Sequence, residues 1–194
     1  MEWKPILSYK WSAWASSTIE NVARVLTCQD LSTRFQGLLY GNSGIIILLF
    51  YIADRKKDDD LFQQATELLR QPIKQLTTEM EHISRYAEKI DISFEEGLAG
   101  MGWCMSYLLR NGQVDGDMNS IFGAADAVIF RQMITMVQEP ALLKLSRSVG
   151  IGLYAVSRDS RLSHEFLRRY ILELYGRIKQ SETRNKILAQ SSGT

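Results

Sequence analysis

Few side chains in this 194-residue sequence are of the types that do covalent chemistry: two cysteines, Cys28 and Cys104, and two histidines, His82 and His164. A thiol becomes a strong nucleophile when a metal or a cation holds it as thiolate, which calls for cysteine and histidine at ligand spacing. Cys28 and Cys104 have no second cysteine near either of them, so neither a CxxC metal or redox site nor a disulfide framework is expected. Both histidines are expected on outer helical surfaces, outside any ligand pattern. Glu96, directly before Gly97, is the candidate catalytic group. A carboxylate can act as general base when burial raises its pKa, and a glutamate before a helix start equally matches the helix dipole. Glu95 beside it diverges too far to flank the same bond, which ranks paired-carboxylate glycan chemistry last. Asp58-Asp59-Asp60 points three ways around a helix and reads as a helix start rather than a metal site.

The elements that must position these groups are helical. Apolar residues recur at helical spacing, and no stretch alternates in strand fashion for more than a few residues. The pattern predicts helices over 13–28, 45–53, 61–86, 102–109, 117–137, 151–156 and 163–179. Pro72 should kink or split the third, Asn111-Gly112 should end the fourth, and Pro140 should follow the fifth. Length and a 45% hydrophobic content predict one all-α domain over residues 1–180, followed by a polar tail, 181–194. Lys and Arg number 23 against 22 Asp and Glu, so net charge gives no reason to expect nucleic acid as partner. The N-terminus has no secretory pattern. The apolar run Ile45–Ala53 falls short of the roughly 20 residues that span a bilayer, so a cytoplasmic chain without a transmembrane segment is expected.

Gly44-Ile45, Gly100-Met101 and Gly150-Ile151 stand in phase, each at a short apolar helix that alternates with a long amphipathic one. Self-similarity at a fixed period marks a repeat architecture. Helices apolar nearly all round must be buried while the long ones keep a wet face, so an inner and an outer layer of helical hairpins are expected. Glycines just before each inner helix would let the chain turn sharply and let backbones approach where the inner N-termini converge. Three unrelated glycine turns in a helical bundle are the plainer alternative. The segments Gly37-Leu38-Leu39-Tyr40-Gly41-Asn42-Ser43-Gly44-Ile45, Ser93-Phe94-Glu95-Glu96-Gly97-Leu98-Ala99-Gly100-Met101-Gly102-Trp103 and Ser148-Val149-Gly150-Ile151-Gly152-Leu153-Tyr154 resemble the repeated glycine signatures of the lanthionine synthetase C-like (LanC-like) family. The resemblance covers about residues 35 to 160.

It implies an (α/α) toroid, here incomplete, and a place in peptide maturation. Family members of known activity are zinc enzymes that add a cysteine thiol of a precursor peptide across a dehydrated serine or threonine, closing a thioether ring. Their ligands, two cysteines and a histidine in W-C-x-G and C-H-G motifs, have no counterpart here. Trp103-Cys104-Met105-Ser106 imitates the first motif but follows its glycine cluster and ends in Ser106, so Cys104 is expected as a buried small hydrophobe and no zinc or other cofactor is expected. Where the family has a histidine before the second G-L-A-G, this chain has Glu96.

The implied role is a peptide-binding accessory, or the N-terminal half of such an enzyme, not catalytic alone. Asn42, Ser43 and Glu96 would meet the peptide near helix N-termini. Half a ring leaves its first and third inner helices with an apolar flank open to water, so a partner protein chain, a second copy or a complementing C-terminal half is expected to cover it. The alternative is a non-catalytic interaction scaffold that uses those edges. Trp3, Trp11 and Trp14 with Tyr9 read either as a cap over the first hairpin or as a docking surface. Arg168, Arg169, Arg177 and Lys179 read as a solvated basic face.

Overall fold

The computed structural model describes residues 9–27, 36–86 and 90–191. Among them are seven helices and no strand: α1 (Tyr9–Thr27), α2 (Asn42–Lys56), α3 (Asp59–Tyr86), α4 (Leu98–Arg110), α5 (Met118–Gln138), α6 (Leu142–Arg158) and α7 (Arg161–Ser191). Cys28 and Trp3 lie outside the described residues.

Local chemistry sets most of the boundaries. Gly41 and Gly97 are the extended N-cap residues of α2 and α4, and Asp117 caps α5 by accepting from the Asn119 and Ser120 amides. Asp58 does the same for α3 through the Leu61 amide, so the acidic triplet serves as a helix start. Ser160 and Ser163 cap α7 reciprocally, each hydroxyl accepting the other's amide. Lys57 and Asp159 end α2 and α6 in the left-handed conformation, and Gly112 follows α4 at φ 64°.

Three expectations about continuity are corrected. The third glycine cluster does not precede an inner helix: Gly150 and Gly152 lie inside α6, which begins eight residues earlier at Leu142. Their missing side chains make room for Phe94, whose Cβ would lie 2.7 Å from a Cβ on Gly150, and for Tyr170 of α7, 3.4 Å from one on Gly152. Tight packing on both sides offsets the roughly 1 kcal/mol that each glycine costs a helix interior. Pro72 does not split α3, which runs through it, and α7 continues past Lys179 to Ser191.

Shorter and longer helices alternate from α2 onward. Within the shorter set α4 touches both α2 and α6, and within the longer set α5 touches both α3 and α7, while α2 packs on α3 and α6 packs on α5 and α7. One core joins them, centred on Phe50, Phe122, Phe130, Met133, Leu108 and Tyr154. Helix α5 is long and apolar enough to cross a membrane by length and composition alone, and half of that stretch is buried against its neighbours. The apolar run Ile45–Ala53, expected to be too short for a span, lies within α2.

Two glycines bring distant segments into backbone contact. The Gly37, Leu38, Leu39 and Tyr40 amides all donate to carbonyls of Phe94, Glu95 and Glu96 at 2.8–3.1 Å. A Cβ on Gly100 would sit 2.1 Å from the Phe94 carbonyl oxygen and 2.4 Å from the Leu38 nitrogen, and one on Gly37 would meet the Glu95–Glu96 backbone at 2.3 Å. The atoms met are backbone and have no rotamer to move into. Gly100→Ala is therefore expected to lower the unfolding free energy by about 3 kcal/mol, read as a shifted urea midpoint at unchanged slope. A loss under about 1 kcal/mol, the cost of an ordinary tolerated core change, would show that the loops part freely.

Candidate functional site

The two interlocked loops form the candidate site. In the first, Ser43 is buried, its hydroxyl donates to the Gln36 carbonyl, and its own carbonyl takes the Cys104 thiol at 3.5 Å. Asn42 is buried at the first residue of α2. In the second, the Asp91 carboxylate accepts the Ser93 amide at 2.7 Å and the Ser93 hydroxyl accepts the Glu96 amide at 3.2 Å. Glu96 itself is half-buried, one residue before the N-cap Gly97. The three residues expected to meet a peptide are thus brought to one end of α2 and α4. Ser43 is occupied in holding the loop, and Glu96 is the more open of the three.

Reading the sequence for chemistry missed what the loops display. Leu39 and Tyr40 are 64% and 70% exposed, although their amides are both bonded to the Glu95 carbonyl at 3.1 Å. Large apolar side chains on a backbone pinned in this way are preorganised for contact, because little conformational freedom is left to lose. The available signal was the run Leu38-Leu39-Tyr40 between Gly37 and Gly41, three bulky residues where a turn needs none. Next to them Glu95 buries its Oε2 without a hydrogen-bond partner among the described residues. Trp103 stacks on Tyr107 with centroids 5.5 Å apart and meets the Phe94 ring edge-on.

The second missed constellation is electrostatic. Asp126 on α5 and Arg158 on α6 form an ion pair at 2.6 Å with each side chain 3% exposed. Tyr154 donates its hydroxyl to the other Asp126 oxygen at 2.5 Å, and Arg158 also donates to Asn119 at 2.8 Å. Burial and the adjacent carboxylate hold the Tyr154 phenol well above its usual range. Burial alone would lower the Arg158 pKa, and the bonds to Asp126 outweigh it and raise it. The Tyr154 ring lies where a Cβ on Gly102 would be, 2.4 Å away, so one glycine of α4 seats the aromatic that reaches α5. A lone acid in the apolar run 121–137 was the sequence signal.

Among the described residues, no set fits the zinc site that the family resemblance implies. Cys104 is buried, and desolvation pushes its thiol up to about 12. No group of three His, Cys, Asp or Glu among the described residues could hold a metal ion. His164 is exposed and meets Asp159 at 3.0 Å, and the His82 side chain lies outside what is described. Trp11 and Trp14 are exposed rather than capping a hairpin, and Arg177 donates to the Val137 and Pro140 carbonyls at the end of α5 instead of facing solvent only. A cavity of about 560 Å³ opens beside that arginine, between α5 and α7, away from Glu96. No family model matches the chain, and neither a curated protein nor a solved structure matches it.

Removing one partner of a buried pair strands the other charge, so Asp126→Ala is expected to cost about 3–5 kcal/mol, and replacing Asp126 and Arg158 together by apolar residues of similar size to recover most of it. Equal losses in single and double variants by urea denaturation would contradict this. Alkali gives an independent check. The Cys104 thiol ionises near 9 in the unfolded chain and near 12 in the folded one, so the unfolded state sheds its proton first. Stability should then be undiminished below pH 9 and fall by up to about 1.4 kcal/mol per pH unit above it, less steeply in Cys104→Ala. Parallel slopes in the two proteins would contradict the buried thiol.

Proposed function

We propose that this chain is a LanC-like component of peptide maturation that holds a peptide rather than cyclising it. In this reading α2/α3, α4/α5 and α6/α7 are three hairpins of an incomplete (α/α) toroid. The inner-layer row α2, α4, α6 and the outer-layer row α3, α5, α7 suggested by the helix contacts support it. The observation that carries the function is the rigid display of Leu39 and Tyr40 beside the half-buried Glu96. Such a surface suits an extended segment that sets an apolar side chain against Tyr40 and a basic group against Glu96. Catalysis by the chain alone is not part of the proposal, since Cys104 is not an available thiolate and Ser43 is engaged by Gln36.

The scaffold reading keeps a specific observation in its favour. Leu142, Leu143, Val149, Leu153 and Val156 of α6 are all exposed, an apolar surface beyond what an isolated helix of the core needs.

Fluorescence anisotropy with labelled linear peptides of Ser, Thr and Cys, one set carrying Lys next to Leu, tests the proposal. Binding in the micromolar range is expected. Tyr40→Ala should weaken it about ten-fold, about 1.4 kcal/mol, and Glu96→Gln should weaken only the Lys-bearing set. Failure of both peptide sets to bind, or binding to both variants as tight as to the parent chain, would remove the loop from consideration.

A further inference from the structure

Residues four apart on a helix face one another, and an acid and a base at that spacing normally pair. Arg161 and Glu165 of α7 do so, at 3.1 Å. Glu173 and Arg177 of the same helix, at the same spacing, do not, because each is held from the end of α5. The Glu173 Oε1 accepts the Gln138 side-chain amide at 2.8 Å, and the Arg177 guanidinium donates to the Val137 and Pro140 carbonyls at 3.0 and 2.8 Å. Both side chains are half-buried, and neither has an ion-pair partner among the described residues. The Glu173 Oε2 and the remaining N–H groups of the guanidinium are left to accept and to donate further.

Both charges line the cavity of about 560 Å³ between α5 and α7, with Val137, Pro140 and Leu172 as its apolar wall. The volume lies in the range of small-ligand sites. Gly176 also lines it, in the interior of α7, where glycine is less favourable than alanine. Gly100, Gly102, Gly150 and Gly152 each admit a neighbouring ring or backbone, whereas a Cβ on Gly176 would meet nothing within 4 Å. Gly123 is equally unopposed but stands exposed on the surface, while Gly176 is half-buried. Stitching α5 to α7 accounts for the bonds of Glu173 and Arg177. It does not account for the space kept empty beside them. An acid and a base held apart on one helical face, with a bare backbone next to both and an apolar wall, match a ligand that carries both charges and an apolar side chain.

We infer that this cavity binds a small zwitterion with an apolar side chain, its carboxylate on Arg177, its ammonium on Glu173 and its backbone over Gly176. That is the chemistry of a free amino acid or of a very short peptide. The site is separate from the loop that displays Leu39 and Tyr40 and does not require the peptide reading of that loop.

Titration calorimetry of the full chain with leucine and with leucyl-leucine tests the inference, and the tighter of the two tells amino acid from peptide. A dissociation constant of about 1 mM or lower is expected for that ligand. Its N-acetyl derivative, which has no ammonium, and its amide, which has no carboxylate, should each bind at least about ten-fold more weakly. Glu173→Gln keeps an oxygen for the Gln138 amide, and it should bring the parent ligand down to the level of the acetylated one while leaving the acetylated one unchanged. Gly176→Leu should fill the cavity and abolish binding without lowering the urea midpoint, since its Cβ meets nothing. Arg177 is left intact because it also holds the end of α5. Absence of binding by both ligands up to about 10 mM, a limit well above the expected constant, overturns the inference. So does a blocked derivative that binds as tightly as its parent, or a folded Gly176→Leu chain that binds like the unaltered one.

Discussion

The fold depends on a contact that only two absent side chains permit. The 37–40 loop lies on the 94–96 turn with backbone against backbone, and Gly37 and Gly100 are the points of closest approach. Four amides that a loop would otherwise leave to water find carbonyls across this contact, which satisfies the backbone of both segments at once. Because the loops lead directly into α2 and α4, fixing them to one another sets where both helices begin. Cys104 and Ser43 then meet, and the Phe94 ring that follows from the same turn fills the space that Gly150 leaves on α6. Three helices are placed from one junction, and the exposed Leu39 and Tyr40 inherit its rigidity.

Away from that junction, geometry is held by charge. The pair between Asp126 and Arg158 lies among Phe122, Phe130 and Ile129, where a poorly aligned ion pair would cost more in desolvation than it returns. Here both Asp126 oxygens and the Nε and Nη2 of Arg158 have partners: Tyr154 on one carboxylate oxygen, Arg158 on the other, and Asn119 on the guanidinium. Arg110 of α4 adds a bond to the Ser157 carbonyl, tying the ends of α4 and α6. Apolar packing accepts small slips of one helix along another. This network has one satisfied arrangement, and it therefore sets the register of α5 against α6.

Much of this was legible, in places for identifiable reasons. Gly41, Gly97, Asp117 and Asn111-Gly112 mark helix ends through local chemistry, and local chemistry is what a sequence displays. The alternation of shorter and longer helices follows from side-chain periodicity and holds from α2 to α7, although α6 begins at Leu142 rather than Ile151 and the long α5 is apolar. Gly150 and Gly152 misled because a glycine that ends a helix and one that admits a neighbouring ring read alike until the ring is located. Ser43 looked available at a helix N-terminus, and its burial depends on Gln36 and Cys104 arriving from elsewhere. Asp126 and Arg158 are 32 residues apart with no shared motif, so nothing short of the packing of α5 on α6 could pair them.

That separation also bears on how the chain comes off the ribosome. Helix α5 emerges as a 21-residue apolar segment, long enough to be drawn to lipid or to another nascent chain, before any of α6 exists. Asp126 near its middle makes transfer to hydrocarbon dearer by about 2.5–3.5 kcal/mol, so the acid guards the segment during that interval. Its protection ends only when Arg158 has been synthesised and folds back on it. The buried pair thus ties α5 to a residue that is synthesised 32 positions later.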